Sequence, residues 1–230
     1  MRQDDILLAA REEALDIDEI EQMGDDHEWS GLDTPMRADA FDITDAEKIK
    51  RIAYHFHEIM HTLGLDLTDD SLKGTPHRVA KMYVKEIFSG LDPANKPDIA
   101  LFDNKYRYGQ MLIEKNITLF SNCEHHFVPI YGVAHVAYMS SGKVIGLSKL
   151  NRIVQYYAKR PQVQERLTMQ IGAELQRILE TDDVAVVIDA RHMCVSSRGI
   201  KDTASATVTS FYGGKFDNED TRAEFLHHLK

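Results

Sequence analysis

Residues 111–139 read MLIEKNITLFSNCEHHFVPIYGVAHVAYM, and the fold turns on how this stretch divides. Upstream of it, apolar residues recur every three or four positions. Here β-branched and aromatic residues take over, and residues 111–120 and 131–139 read as two strands. Between them stands Cys123-Glu124-His125-His126. Further on, Gly142 marks a turn before Val144-Ile145-Gly146-Leu147, and residues 148–159 read as a helix. Pro161 breaks that helix and starts another, with Val163, Leu167, Ile171, Leu175 and Ile178 on one stripe. Residues 184–195 read as a strong strand and 203–212 as a second; Gly213-Gly214 ends the sheet, and 221–229 form a short helix. The order strand, strand, helix, helix, strand, strand places the chain in the α+β class.

Two helices precede this half. Thr44-Asp45-Ala46-Glu47 fits a capping box, followed by Ile49, Ile52, Ala53, Phe56, Ile59, Met60 and Leu63 at helical spacing. Gly64 stands where a left-handed C-cap belongs. His55, His57 and His61 share this helix, but no acid or thiol joins them, so they read as a solvated or interface face. Thr75-Pro76 opens the second helix with a hydroxyl cap and a proline at the first helical position. It runs through Val79, Met82, Tyr83 and Ile87 to a stop at Ser89-Gly90. The chain thus divides into an acidic extension (1–40), a helical region (41–110) and a strand-rich region (111–230).

The 230 residues are 43% hydrophobic and 28% charged, ordinary for a globular protein. Two cysteines exclude a disulfide scaffold. The sequence holds no apolar run long enough for a transmembrane helix, and its acidic start lacks the basic n-region of a signal peptide, so the expectation is cytoplasmic. The net charge of −10 is uneven: residues 1–30 carry 11 acidic against 2 basic side chains, while the remaining 200 net −1. A balanced body argues against nucleic-acid binding, which wants a basic face. It leaves room for a local basic pocket.

Every cysteine has a histidine neighbour. Cys123 and His126 have Cys-x-x-His spacing, and Cys194 follows His192 by two. Two thiolates and an imidazole suit zinc, with a fourth position open for water. On a regular strand Cys123 and His126 face opposite ways, so the backbone must turn near Glu124-His125 for both to reach one metal. His192 and Cys194, on one strand, share a face. His125 and His192 then remain as imidazoles for proton transfer. Arg78, Lys81, Lys149, Arg198 and Lys201, with the Ser148 hydroxyl, could grip a polyphosphate; each alone is an ordinary surface group. Gln164-Glu165 opens a helix, where Glu165 either complements the dipole or accepts two N–H bonds from a guanine edge.

Taken together, Thr75-Pro76-His77-Arg78, Cys123 to Val128, Ile145-Gly146-Leu147-Ser148-Lys149, Arg160 to Arg166 and Arg198-Gly199 resemble GTP cyclohydrolase I over roughly residues 45–228. The resemblance implies the tunnelling fold (T-fold): a four-stranded antiparallel sheet with two helices between strands two and three. It implies a homodecamer of two stacked pentamers with active sites between subunits. The implied reaction turns GTP and water into 7,8-dihydroneopterin triphosphate and formate, the first step of tetrahydrofolate or pterin synthesis. By resemblance Cys123, His126 and Cys194 bind Zn2+, whose water attacks guanine C8. His125 and His192 transfer protons, and Gln164 and Glu165 read the guanine. Ser148, Lys149, Arg198, Lys201, Arg78 and Lys81 hold ribose and triphosphate. Glu124 receives no role. A non-catalytic nucleotide binder with a closed zinc would need a fourth protein ligand. A zinc deaminase would need His-x-Glu and Pro-Cys-x-x-Cys, which the sequence lacks.

Overall fold

The structure is a computed structural model that describes residues 31–230; most of the acidic extension, residues 1–30, lies outside the described residues. Thr44 starts helix α1 (Asp45–Thr62), its hydroxyl accepting the Glu47 N–H at 3.3 Å. The Glu47 carboxylate does not complete the box: it accepts from Arg51 Nε at 2.8 Å, an i,i+4 pair. Gly64, at φ +82°, ends the helix. Its N–H donates to His61 O and the Leu65 N–H to Met60 O, at 2.9 and 3.2 Å, the two bonds of a Schellman stop. Helix α2 (Thr75–Met82) has Gly74 at its N-cap. The Thr75 hydroxyl, expected as the cap, instead accepts from Arg78 Nη2 at 2.9 Å. Past Met82 the helix widens into one π-turn, Tyr83–Ile87, and tightens into a 3₁₀ turn over Ser89–Leu91.

The strands follow: β1 (Leu101–Asp103), β2 (Met111–Cys123), β3 (Pro129–Met139) and β4 (Lys143–Ile145). Then come α3 (Leu147–Ala158), β5 (Pro161–Gln162), α4 (Gln164–Leu179), β6 (Val184–His192), α5 (Met193–Ser196), β7 (Thr207–Tyr212) and α6 (Glu219–Leu229). The long strands β2, β3, β6 and β7 are antiparallel neighbours in that order, with α3 and α4 falling between β3 and β6 in sequence. The structure adds two pieces to the expected sheet. The two-residue β5 pairs in parallel with Asn122 and Cys123, and β1 pairs with β4 in a separate ribbon. Pro161 therefore does not begin α4. It lies in extended backbone, and the helix starts at Gln164.

Alternation along the strands produces two unequal cores. One face of the sheet sends Leu119, Ile130, Ala134, Val136 and Tyr138 against Leu150, Ile153 and Val154 of α3 and Leu167, Ile171 and Leu175 of α4, all buried. The other face holds a smaller cluster of Ala137, Ala185 and Val187 under Phe216 and Phe225, whose rings meet edge to face at 5.8 Å. β2 carries a bulge near Asn116, which takes a left-handed φ of +59° and donates its N–H to His135 Nδ1 at 3.2 Å. The helical layer is looser. Of α1 only Met60 is buried, and an apolar cavity of about 510 Å³ opens between Ile52, Phe56 and Ile59 of α1, Phe41, Phe88 and Phe127.

Candidate active site

β2 and β3 do not join through a regular hairpin. The chain folds back over Glu124–His126, as the Cys-x-x-His spacing requires. The Cys123 N–H donates to Val128 O at 2.9 Å, and the Phe127 N–H to Cys123 O at 2.8 Å. Phe127 takes φ +53°, rare for a non-glycine residue, and its carbonyl accepts from Asn122 Nδ2 at 3.3 Å. This turn brings Cys123 Sγ to 3.8 Å from His126 Nδ1 and 3.8 Å from His125 Nδ1.

Cys194 arrives differently from expectation. β6 stops at His192, and Cys194 sits on the four-residue helix α5, so the two do not share a strand face. The short helix is closed by its own hydroxyls: Ser196 Oγ donates to His192 O at 3.3 Å and Ser197 Oγ to Met193 O at 2.6 Å. The curl separates the roles of the two residues. His192 turns to α4, and Cys194 turns to Cys123. The ligand atoms of Cys123, His126 and Cys194 all lie within 4.8 Å of one another. Tetrahedral zinc with sulfur at ~2.3 Å and nitrogen at ~2.0 Å separates its ligands by about 3.5–3.8 Å, so the Cys123–His126 distance of 3.8 Å is near that separation and the group as a whole needs to close by no more than about 1 Å. Burial raises the Cys194 thiol pKa and the neighbouring Cys123 adds to this, while the Arg198 charge works against it.

His192 is held by Gln164. Gln164 is 1% exposed, and its amide nitrogen donates to Ile188 O at 3.1 Å and Thr207 O at 2.9 Å. That orientation leaves Oε1 to accept from His192 Nε2 at 2.8 Å. Nε2 therefore carries the proton and Nδ1 keeps its lone pair. Burial lowers the His192 pKa, opposed by the nearby Glu165 charge, so the ring is neutral near pH 7. Gln164 and Glu165 thus part company: the amide is tied into the protein, whereas the Glu165 carboxylate is exposed in the first turn of α4.

The remaining cations lie on other elements. Arg198 and Lys201 are exposed just past α5, Lys201 at φ +57°. Lys149 and Ser148 occupy the first turn of α3, where Lys149 Nζ donates to Asp98 O at 2.5 Å. Arg78 and Lys81 are exposed on α2, and Arg78 Nη2 bonds Ser71 O at 3.1 Å as well as Thr75. One feature escaped sequence reasoning. Glu124 is gripped by Arg166 of α4 through Nη1 to Oε2 at 2.5 Å and Nη2 to Oε1 at 3.2 Å. Its signal was an arginine beside Leu167 on the inner side of an amphipathic helix.

Comparison with known proteins identifies the family. The family model described as GTP cyclohydrolase I matches residues 52–230. The chain is 64% identical over 213 residues to a GTP cyclohydrolase 1 of Flavobacterium johnsoniae, covering 93% of this chain and 96% of that protein. It is 58% identical to the protein of that name from Vibrio cholerae and 56% to that from Aeromonas hydrophila, each over 204 residues, 88% of this chain and 93% of the relative. By family match and identity alike, the chain belongs to the GTP cyclohydrolase I family and is an enzyme of that type.

Proposed function

We propose that the protein converts GTP and water to 7,8-dihydroneopterin triphosphate and formate, opening the route to tetrahydrofolate or pterins. The observation that carries this reading is the meeting of two thiols and one imidazole beside a neutral, oriented histidine. Cys123, His126 and Cys194 are the residues that would hold a divalent metal, and zinc suits their donor set. Bound there, the metal supplies Lewis acidity, lowering the pKa of a coordinated water towards neutrality.

The chain's own residues account for the rest. His192, neutral and fixed through Nε2, offers Nδ1 as a proton acceptor. His125, next to Glu124 in the turn, is the second proton carrier, positioned to protonate the imidazole-ring nitrogen of guanine as C8 is hydrated. The Glu165 carboxylate has two oxygens for the ring N–H and exocyclic amine of the base. Gln164 serves the guanine indirectly, by orienting His192. Ser148, Lys149, Arg198, Lys201, Arg78 and Lys81 hold ribose and triphosphate, some from a neighbouring copy. A ring-shaped homodecamer built on the tunnelling fold supports that sharing. The outer edge of β2 is paired with β5 only at Asn122 and Cys123, and β7 is the last strand at the other edge. Among the described residues no helix is long and apolar enough to cross a membrane, consistent with a cytoplasmic enzyme.

The test is purified protein with GTP, assayed for formate and for the fluorescent oxidised pterin, with and without a zinc chelator. Both products vanish on chelation and return with zinc. Cys194→Ser loses zinc and turnover together; full formate release by a metal-free Cys194→Ser protein overturns the reading.

A further inference from the structure

The geometry points to Arg166 and Glu124 as a positioning pair that fixes the Cys123–His126 turn from inside the molecule; the inference rests on the reading of that turn as part of a metal-dependent site. Glu124 stands between Cys123 and His125, and the Arg166 side chain, 5% exposed, reaches it from α4 with two parallel N–H···O bonds. Its backbone is tied as well, the Glu124 N–H donating to Gln162 O at 3.0 Å. Glu124 is thereby held twice, through its side chain by α4 and through its backbone by β5, in addition to the Phe127 and Val128 bonds that close the turn.

The placement of Arg166 is what gives the pair its meaning. A buried ion pair is poor support for stability, since taking two charges out of water costs about as much as their attraction returns. A hydrophobic pair would hold α4 to β2 as well. What the ion pair adds is direction: a planar fork facing a planar carboxylate allows one orientation of Glu124, and with it one path for the backbone between Cys123 and His126. Arg166 also lies two residues after Gln164, which orients His192. The first turn of α4 therefore reaches both segments of the site. Through Gln164 it holds the end of β6, and through Arg166 it holds the turn after β2. Glu165, between them, is left exposed. The His125 ring is also drawn in, its Nε2 lying 3.9 Å from Glu124 Oε1.

The experiment uses the full chain with Glu124→Gln, Arg166→Lys and the double variant. Zinc affinity is read by chelator competition without GTP, then kcat and KM are read at saturating zinc, beside the thermal melt. A positioning pair predicts zinc binding weakened by about 10–100-fold in each single variant, the scale seen when groups supporting a metal's ligands are removed. kcat falls with it, while KM for GTP stays within about threefold; the single variants melt lower, since each leaves one partner of a buried pair uncompensated, but the zinc loss persists at temperatures where they are fully folded. The double variant is no worse than the poorer single, because either change already breaks the pair. Unweakened zinc binding in both singles overturns the inference, as does a double variant whose losses multiply. Should Arg166→Lys fail to fold, Glu124→Gln, which keeps the shape, decides alone. The reading of function is judged separately, by formate release from the wild-type chain: zinc loss in the variants with an inactive wild type sinks that reading and leaves the pair standing.

Discussion

Helix α1 and the turn at Cys123 are held in opposite ways. The capping bonds of α1 are local: Thr44 to Glu47, Gly64 to His61, Leu65 to Met60. Its apolar stripe stays largely open, with Ile59 51% and Leu63 72% exposed. The turn at Cys123 adds to its local bonds others from far along the chain. Gln162 takes the Glu124 N–H, Arg166 takes the Glu124 carboxylate, and Cys194 closes the metal group from α5. A helix can thus be written into its own sequence before anything covers it, because capping and periodicity act within a few residues. A site cannot, because its geometry exists only once the sheet and α4 have docked.

Glycine substitution separates the two regimes most strongly. Gly132 sits on β3 opposite Ala190. A Cβ there would lie 2.1 Å from Asp189 O and 2.5 Å from Ala190 Cα, both backbone atoms that cannot step aside. Gly132→Ala forces β3 and β6 apart and costs about 3 kcal/mol or more by denaturant unfolding. Gly64→Ala meets nothing within 4 Å and suffers only its left-handed φ, about 1 kcal/mol. Equal losses at the two positions would break the distinction between long-range and local construction.

The leucines give the next largest difference. Leu167 is fully buried between α4 and the sheet, and Leu167→Ala should cost about 2–5 kcal/mol. Leu63→Ser should stay within about 0.5 kcal/mol if α1 is as exposed in solution as in one chain. A cost for Leu63→Ser comparable to that of Leu167→Ala, rising with protein concentration, would mean that another copy of the chain covers the α1 stripe. The same unfolding curves at two concentrations tell these apart.

Legibility in the sequence follows the same division. The Schellman stop at Gly64, the long strands and the need for a backbone turn after Cys123 could all be read from spacing, because each is a property of a few adjacent residues. The curl that takes Cys194 off β6 could not: Met193-Cys194-Val195 looks like more strand, and the Ser196 and Ser197 hydroxyls, folding back on His192 and Met193, join the Ser197 N–H in turning it. Gln164 was legible as a site residue but not in its bonding, since nothing in its neighbourhood signals Ile188 and Thr207 as acceptors. Glu124 had no visible duty because its partner lies 42 residues away.

The smallest effect concerns histidines, and it sets α1 beside the sheet. Those of α1 (His55, His57 and His61) are exposed, whereas His135 on β3 is 6% exposed and accepts the Asn116 N–H of the β2 bulge. Accepting through Nδ1 requires the neutral ring. Burial is the main cause that lowers the His135 pKa below its usual value; Lys115 adds to this and Asp189 opposes it. Above about pH 6.5 the ring is neutral in both folded and unfolded chains and contributes no slope. As pH falls below that, the unfolded chain takes the proton first, so the folded state loses stability until the folded ring titrates too. His135→Asn places an amide oxygen near the Nδ1 position, keeps an acceptor for Asn116 and removes the titration. Urea midpoints taken from pH 8 to pH 5 should therefore fall less steeply for His135→Asn than for wild type, with the two curves close above pH 7. Parallel curves throughout would show that the bulge does not depend on a neutral His135, and that the acid limb of stability belongs to other groups.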